Sequence, residues 1–274
     1  YSHDLFTNEA LSFIEGNSKE SFFLYLAYTI PHVALQVPED SFDEFKGKYP
    51  ETPFKHKHKA FYDQQSPHAA YAAMITRMDK DVGRIINKIS ELGLSEDTLI
   101  IFTSDNGPER MAGADPEFFD SNGSLRGIKR DLYEGGIRVP FIAKWDGKIK
   151  PGSINEHVSA FWDFLPTACE IGAVTPPNDI DGISYLPSLL GRGGQQKHDY
   201  LYWEHSKYDW SKEPGSGQIC PVIKQAVRSG NYKAVRHNMR KPQTELYDLS
   251  SDPGETNNIA DKYPEIVKKM EDYM

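Results

Sequence analysis

AAYAAMITRMDKDVGRIINKISELGLSEDTLIIFTSDNG, residues 69–107, carries the reading on which the architecture turns. Within it Ala70, Ala73, Met74, Met78, Val82, Ile85, Ile86, Ile89 and Leu92 recur at the three-and-four spacing of one buried helical stripe. The spacing predicts a helix over 69–92, closed by Gly93 in the C′ position. The apolar run Thr98 to Phe102 then predicts a buried strand, and Thr103-Ser104-Asp105-Asn106-Gly107 is its polar tip. Helix, strand and polar loop in succession is the rhythm of an α/β sheet. Ligand sites in open sheets of this kind collect outside the carboxyl ends of the strands. The Asp105 carboxylate and the Asn106 amide oxygen suit a hard cation, Ca²⁺ or Mg²⁺, rather than Zn²⁺. Asp-Asn-Gly is equally good turn chemistry, so the tripeptide alone leaves both readings open.

Upstream, Thr7 is placed to cap a helix running through Phe13, with Glu9 and Glu15 on its wet side. Phe22 to Tyr28 is a continuous apolar and aromatic run, expected to be a strand covered on both faces. His32, directly after Pro31, then falls on a loop at that strand's carboxyl end. Residues 36–68 are rich in Pro, Lys and His and read as an excursion from the core, with His56 and His58 on an exposed loop. Asp79 and Asp81, two apart on a helix, face different directions and read as solvated or salt-bridged carboxylates.

Downstream, residues 107–138 form an irregular Gly-rich segment. Val139 to Trp145 predicts another strand, with Pro140 near its start where a missing N–H is tolerated. Ser159 to Ile171 predicts a helix with Asp163 early in it or at its cap. Past about residue 190 the texture changes. Tyr200 to Glu204, Ala226 to Ser229, Tyr232 to Arg236 and Glu245 to Leu249 predict a small antiparallel sheet, followed by a helix from Pro264. The expected organisation is a main α/β domain over 1–194 and a small α+β domain over 195–274.

Composition narrows the functions. The net charge of −9, from 31 basic and 40 acidic residues, argues against nucleic acid as the main partner. It leaves room for an anionic substrate, since a few local cations make a positive pocket on an acidic protein. The longest apolar run, Phe22 to Tyr28, is too short to cross a bilayer. Two cysteines set no disulfide framework. Cys169 lies in an apolar helical stretch and reads as packing, and nothing beside Cys220 marks an activated thiol.

Three segments acquire meaning together: Pro31-His32 after the aromatic run, Ser104-Asp-Asn-Gly107, and LRGIKRDLYEGGIRVP over 125–140. In this order and spacing the chain resembles the type I sulfatases, the arylsulfatase branch of the alkaline phosphatase superfamily. ELYDLSSDPGETNN, residues 245–258, resembles that family's closing motif. The resemblance runs from Phe22 to the end and implies a mixed sheet sandwiched by helices, incomplete at the N-terminus, plus the small C-terminal sheet. It implies that Asp105 and Asn106 ligate calcium, that Lys129 contacts the sulfate, and that His32 sits at the bridging oxygen. His205, in Tyr202-Trp-Glu-His205, is a further candidate to reach the substrate cleft from the small domain. A cation and a lysine would stabilise charge gathering on sulfuryl oxygens, and an imidazolium would protonate the departing alkoxide.

The family's nucleophile is a formylglycine made from Cys or Ser in a Cys/Ser-x-Pro-x-Arg context. Neither Cys169-Glu-Ile-Gly nor Cys220-Pro-Val-Ile fits, and no serine does. The two consecutive aspartates that would complete the calcium cage are likewise absent from these residues. The resemblance therefore implies the C-terminal two-thirds of a sulfatase, whose partner is its own N-terminal segment. Residues 1–274 alone are expected to be inactive and to bind calcium weakly. Sulfated carbohydrate, or another sulfated small molecule, is the implied substrate, and export to periplasm, lysosome or medium the implied location. Two alternatives stay open: a phosphodiesterase or phosphonate hydrolase of the same superfamily, and a non-catalytic binder of sulfated glycans.

Overall fold

The computed structural model describes residues 1–56, 61–206, 223–238 and 242–274; His58 and Cys220 lie outside them. The chain forms two compact units. One comprises 1–100, 109–121 and 145–147, the other 101–108, 122–144 and 148–274. The antiparallel sheet begins at Leu201, shortly after the expected boundary at 194/195, and the division into compact units does not coincide with that boundary.

The first unit is built on α1 (Ser2–Gly16), α2 (Glu39–Phe42) and α3 (Pro67–Glu91). The helix read from periodicity is present, beginning with Pro67 in its first turn and ending before Gly93 at φ +73°. Ala70 and Met74 bury their side chains with Ile30 and Leu35, and Val33, Val37, Phe42 and Tyr71 pack around them. A polar seam joins α1 to α3. Arg77 grips Asp4 through two parallel bonds, Nε to Oδ1 at 2.7 Å and Nη2 to Oδ2 at 2.8 Å. Asp81 is salt-bridged, as expected, to Arg84 at 2.8 Å, and it faces the fully buried His3 at 2.9 Å.

Two expectations fail in this unit. Thr7 caps nothing: α1 starts five residues earlier, and Thr7 is buried within it. Its hydroxyl lies 3.2 Å from the His3 carbonyl and 3.0 Å from Asp81 Oδ2, where it can donate, and 2.8 Å from the Tyr28 hydroxyl. A mid-helix threonine satisfies its hydroxyl on the preceding turn, so residue type alone does not mark a cap. Phe22 to Tyr28 forms no ladder among the described residues. Exposure alternates along it, with Phe23 69% and Tyr25 81% exposed. The apolar run records faces fit for covering, whereas a strand also needs neighbours to bond its N–H and C=O groups.

The second unit contains a two-stranded sheet, β1 (Ile100–Thr103, from Ile101 on) with β2 (Phe141–Lys144). It also contains the one-turn helix α4 (Glu134–Ile137), α5 (Phe164–Ile171), and α6 (Leu186–Leu189). Asp163 is the N-cap residue of α5. Its four-stranded sheet runs β3 (Leu201–Ser206), β4 (Ile223–Ser229), β5 (Tyr232–Arg236), β6 (Thr244–Asp248), every pair antiparallel. Gly230, at φ +59°, opens the two-residue turn between β4 and β5.

Alternation along these strands gives the sheet two apolar faces, and both are covered. Val227, Ala234 and Leu246 point to α7 (Pro264–Tyr273), meeting Met270, Ile266 and Val267. Ala226, Val235 and Tyr247 point the other way, onto Leu132, Tyr133 and Ile137. The segment after Lys129 is thus anchored on the sheet by its own apolar residues.

Candidate active site

Asp105 and Asn106 follow the β1 end after Ser104, the position expected of a ligand-bearing tip. The Asp105 carboxylate is exposed. Asn106 donates its amide N–H to the Gly107 carbonyl at 3.1 Å, which turns its oxygen away from that backbone. Two backbone hydrogen bonds join the tip to the loop that carries Lys129: Gly107 N–H to Gly136 O and Lys129 N–H to Pro108 O, both at 2.9 Å. The approach leaves no room for side chains. A Cβ on Gly107 would fall within 2.9 Å of Gly136 Cα and well inside contact with the Gly135 oxygen. Cβ atoms on Gly135 and Gly136 would collide with the carbonyls of Arg126 and Ile128.

The Lys129 loop folds back on itself. Gly135 N–H bonds Arg126 O at 2.7 Å, and Asp131 N–H bonds Ile128 O at 2.8 Å. Arg126 lies 3.9 Å over the Tyr133 ring and donates to Tyr247 Oη at 3.0 Å and Glu255 O at 2.8 Å. Tyr133 Oη donates to Glu245 at 2.6 Å and Tyr247 Oη to the same carboxylate at 2.8 Å. Burial works to raise the Glu245 pKa, but these bonds and His237 prevail and hold it below the ordinary value. Both phenols move the other way, Tyr247 to about 12, so they stay protonated donors.

His205, on β3, lies opposite Lys224 of β4. Lys224 reaches the loop, bonding Arg130 O at 3.1 Å and Asp131 Oδ1 at 3.2 Å. Burial first, then the positive charges of Lys224 and Arg130, pushes the His205 pKa down, with Asp131 opposing. The second unit therefore brings Asp105, Asn106 and Lys129 together through backbone bonds, with His205 beside the same loop. His32 belongs to the first unit, on an exposed loop, with Nδ1 2.8 Å from Val33 O. A carbonyl only accepts, so Nδ1 carries a hydrogen there. Arg126 and Lys224 were not legible beforehand: Lys224 meets the loop from 93 residues away in sequence.

A carboxylate and an amide oxygen fit calcium in kind but fall short in number, since calcium takes six to eight oxygens. Among the described residues no three His, Cys, Asp or Glu side chains gather to hold a metal. His56 is satisfied locally by Asp63, and Cys169 sits inside α5. No described helix is long and apolar enough to cross a membrane.

Comparison with known proteins identifies the family. A model of the sulfatase family matches residues 1–172, and one for the C-terminal region of N-sulphoglucosamine sulphohydrolase matches 127–274. The N-acetylgalactosamine-6-O-sulfatase of Bacteroides thetaiotaomicron is 30% identical over 99% of this chain and 50% of its own. The crystal structure of Ps i-CgsB superposes with a TM-score of 0.78 over 98% of this chain and 53% of its own, at 24% identity. That of BT4656 in complex with its substrate D-glucosamine-2-N,6-O-disulfate gives 0.58 over 76% of this chain and 40% of its own, at 25% identity. The chain thus spans about half the length of the relatives it matches, less than the two-thirds read from the resemblance. On these matches and on the alkaline-phosphatase-like α/β fold, the chain belongs to the type I sulfatase family of the alkaline phosphatase superfamily.

Proposed function

We propose that the polypeptide in which residues 1–274 occur hydrolyses a sulfate monoester of a carbohydrate. The observation that carries this reading is the pair of backbone hydrogen bonds tying Gly107 to Gly136 and Lys129 to Pro108. They hold two hard-oxygen donors and an ammonium group on adjoining backbone, the elements an anionic ester needs. Lys129 sits against the sulfuryl oxygens and offsets their growing charge. When bound, calcium adds a fixed positive charge beside those oxygens, with Asp105 and Asn106 supplying part of its shell. The formylglycine nucleophile comes from outside these residues.

His32 gives the Nε2 proton to the departing sugar oxygen, its ring set by the Nδ1 bond to Val33. This role rests on the match of Pro31-His32 to the family pattern. His205, with its lowered pKa, is neutral at pH 7 and serves as a hydrogen-bonding partner for a sugar hydroxyl. The names of relatives support a sulfated sugar as substrate, and the same resemblance supports export.

The test is kinetic. The full-length polypeptide should turn over sulfated amino sugars and prefer sulfate to matched phosphate esters. Lys129→Ala should lower kcat/KM by about 10²–10³-fold, the loss typical of removing one charge-stabilising group. Residues 1–274 alone should give no turnover of a chromogenic aryl sulfate. Turnover by them, or wild-type rates from the Lys129 variant, would overturn the proposal.

A further inference from the structure

The loop that presents Lys129 is fastened by a largely buried set of charges. Lys233, on β5, is fully buried, with Nζ 2.9 Å from Glu134 Oε1 and 3.2 Å from Glu255 Oε1. Glu255 is also fully buried, and its Oε2 accepts the Glu134 backbone N–H at 2.6 Å. Arg228 completes the set at 3.4 Å from Glu134 Oε2, so two acids face two bases. Glu255 is directed inward from a left-handed backbone, φ +50°, in the Asp252-Pro-Gly-Glu255 turn. Asp252 clamps that turn by accepting the N–H groups of Thr256 and Asn257.

Buried ion pairs are a poor way to gain stability, because well-packed apolar residues often do as well or better; in some proteins they instead fix a single geometry. What this one fixes is Glu134, the first residue of α4. Gly135 and Gly136 follow at once, and they bond Arg126 and Gly107. Glu134 therefore sets the backbone that receives the Asp105-Asn106 tip, and it lies five residues after Lys129.

We propose that Lys233 is a positioning residue for the sulfate site: through Glu134 and Glu255 it holds the Lys129 loop and the Asp105-Asn106 tip in register. The proposal rests on the reading that Lys129 contacts the sulfate. The C-terminal sheet, which contributes neither the oxygen donors nor Lys129, thereby acts as the base on which they are mounted.

The experiment uses the full-length polypeptide. Lys233→Met combined with Glu255→Gln removes one charge of each sign and keeps an amide oxygen for the Glu134 N–H. The double variant should fold, by near-ultraviolet circular dichroism and thermal unfolding, with kcat lowered at least tenfold. In a Lys129→Ala background the same pair should lower kcat by a clearly smaller factor, because one of the two groups being positioned is gone. Unchanged kcat in the folded variant, or an equal fall in both backgrounds, would overturn the proposal. A Lys129→Ala variant with wild-type activity would instead sink the underlying reading of the site. Should the double variant not fold, Glu255→Gln alone serves: a threefold or larger fall in kcat, smaller in the Lys129→Ala background, supports positioning, and wild-type kcat overturns it.

Discussion

Gly107 gives its backbone N–H to the Gly136 carbonyl at 2.9 Å, joining the end of β1 to the start of α4. Two segments that look unrelated in sequence, Ser-Asp-Asn-Gly and Tyr-Glu-Gly-Gly, are thereby one structural feature. Each glycine is required because a second backbone occupies the space a side chain would fill.

Gly107→Ala tests that closeness. The added methyl meets the Gly135 carbonyl and Gly136 Cα, which are backbone and cannot rotate away. The cost expected for overpacking of this kind is about 1–3 kcal/mol. Thermal unfolding should shift down accordingly, and any activity should fall further than stability, since the Asp105-Asn106 tip is what moves. Gly123→Ala, at a glycine of φ +54° with open space around it, should leave activity unchanged.

Tyr133→Phe removes one of the donors that hold Glu245 ionised. Losing a hydrogen bond to a charged group costs about 1.5–3 kcal/mol. The consequence for acid stability has a definite sign. Glu245 has a folded pKa below its ordinary 4.5, so it contributes stability that is present above 4.5 and lost as pH falls through the folded value. In the phenylalanine variant that depression shrinks. Denaturant midpoints measured from pH 6 to 3 should therefore converge for the two proteins at the acid end. A gap that stays constant with pH would contradict this.

How much of this was readable beforehand depends on the range of the interactions. The helix over 67–91 and the strands of the C-terminal sheet follow from local periodicity, and they appear within a few residues of expectation. The α4 glycines and the Asp105-Asn106 tip could be marked individually by pattern. Their contact could not, because nothing local to Gly107 names Gly136. Phe22 to Tyr28 failed for the same reason in reverse: its apolar residues were legible, but its pairing depends on neighbours the run does not specify. The buried Lys233 was the least visible, since a lysine in an alternating strand reads as its wet face until Glu134 and Glu255 arrive from elsewhere.

The first unit should lose stability on mild acidification, independently of Glu245. Burial pushes the pKa of His3 down from 6.5, despite the nearby Asp81 carboxylate. A lowered folded value means the stability contribution is complete above 6.5 and is lost as pH falls through the depressed one. His3→Gln removes the titrating group from the same cavity. Its unfolding temperature should change less than that of the wild type between pH 7 and 5, as followed by calorimetry. An unaltered slope would place the sensitivity elsewhere.

Calcium binding offers the most direct check on Asp105. Calcium requires six to eight oxygens, and Asp105 with Asn106 would supply a minority of them. Residues 1–274 alone should bind calcium no tighter than about 1 mM, the weak end of natural sites. The full-length polypeptide should bind far tighter, because the remaining donors are then in place. Asp105→Ala in that polypeptide removes a charged ligand, so isothermal titration should show at least a tenfold loss of affinity. Magnesium should compete poorly, since it demands a tighter octahedral shell and gives up its waters reluctantly. An Asp105 variant that still binds calcium like the wild type would mean the β1 tip is only a turn, leaving Lys129 to act without a metal beside it.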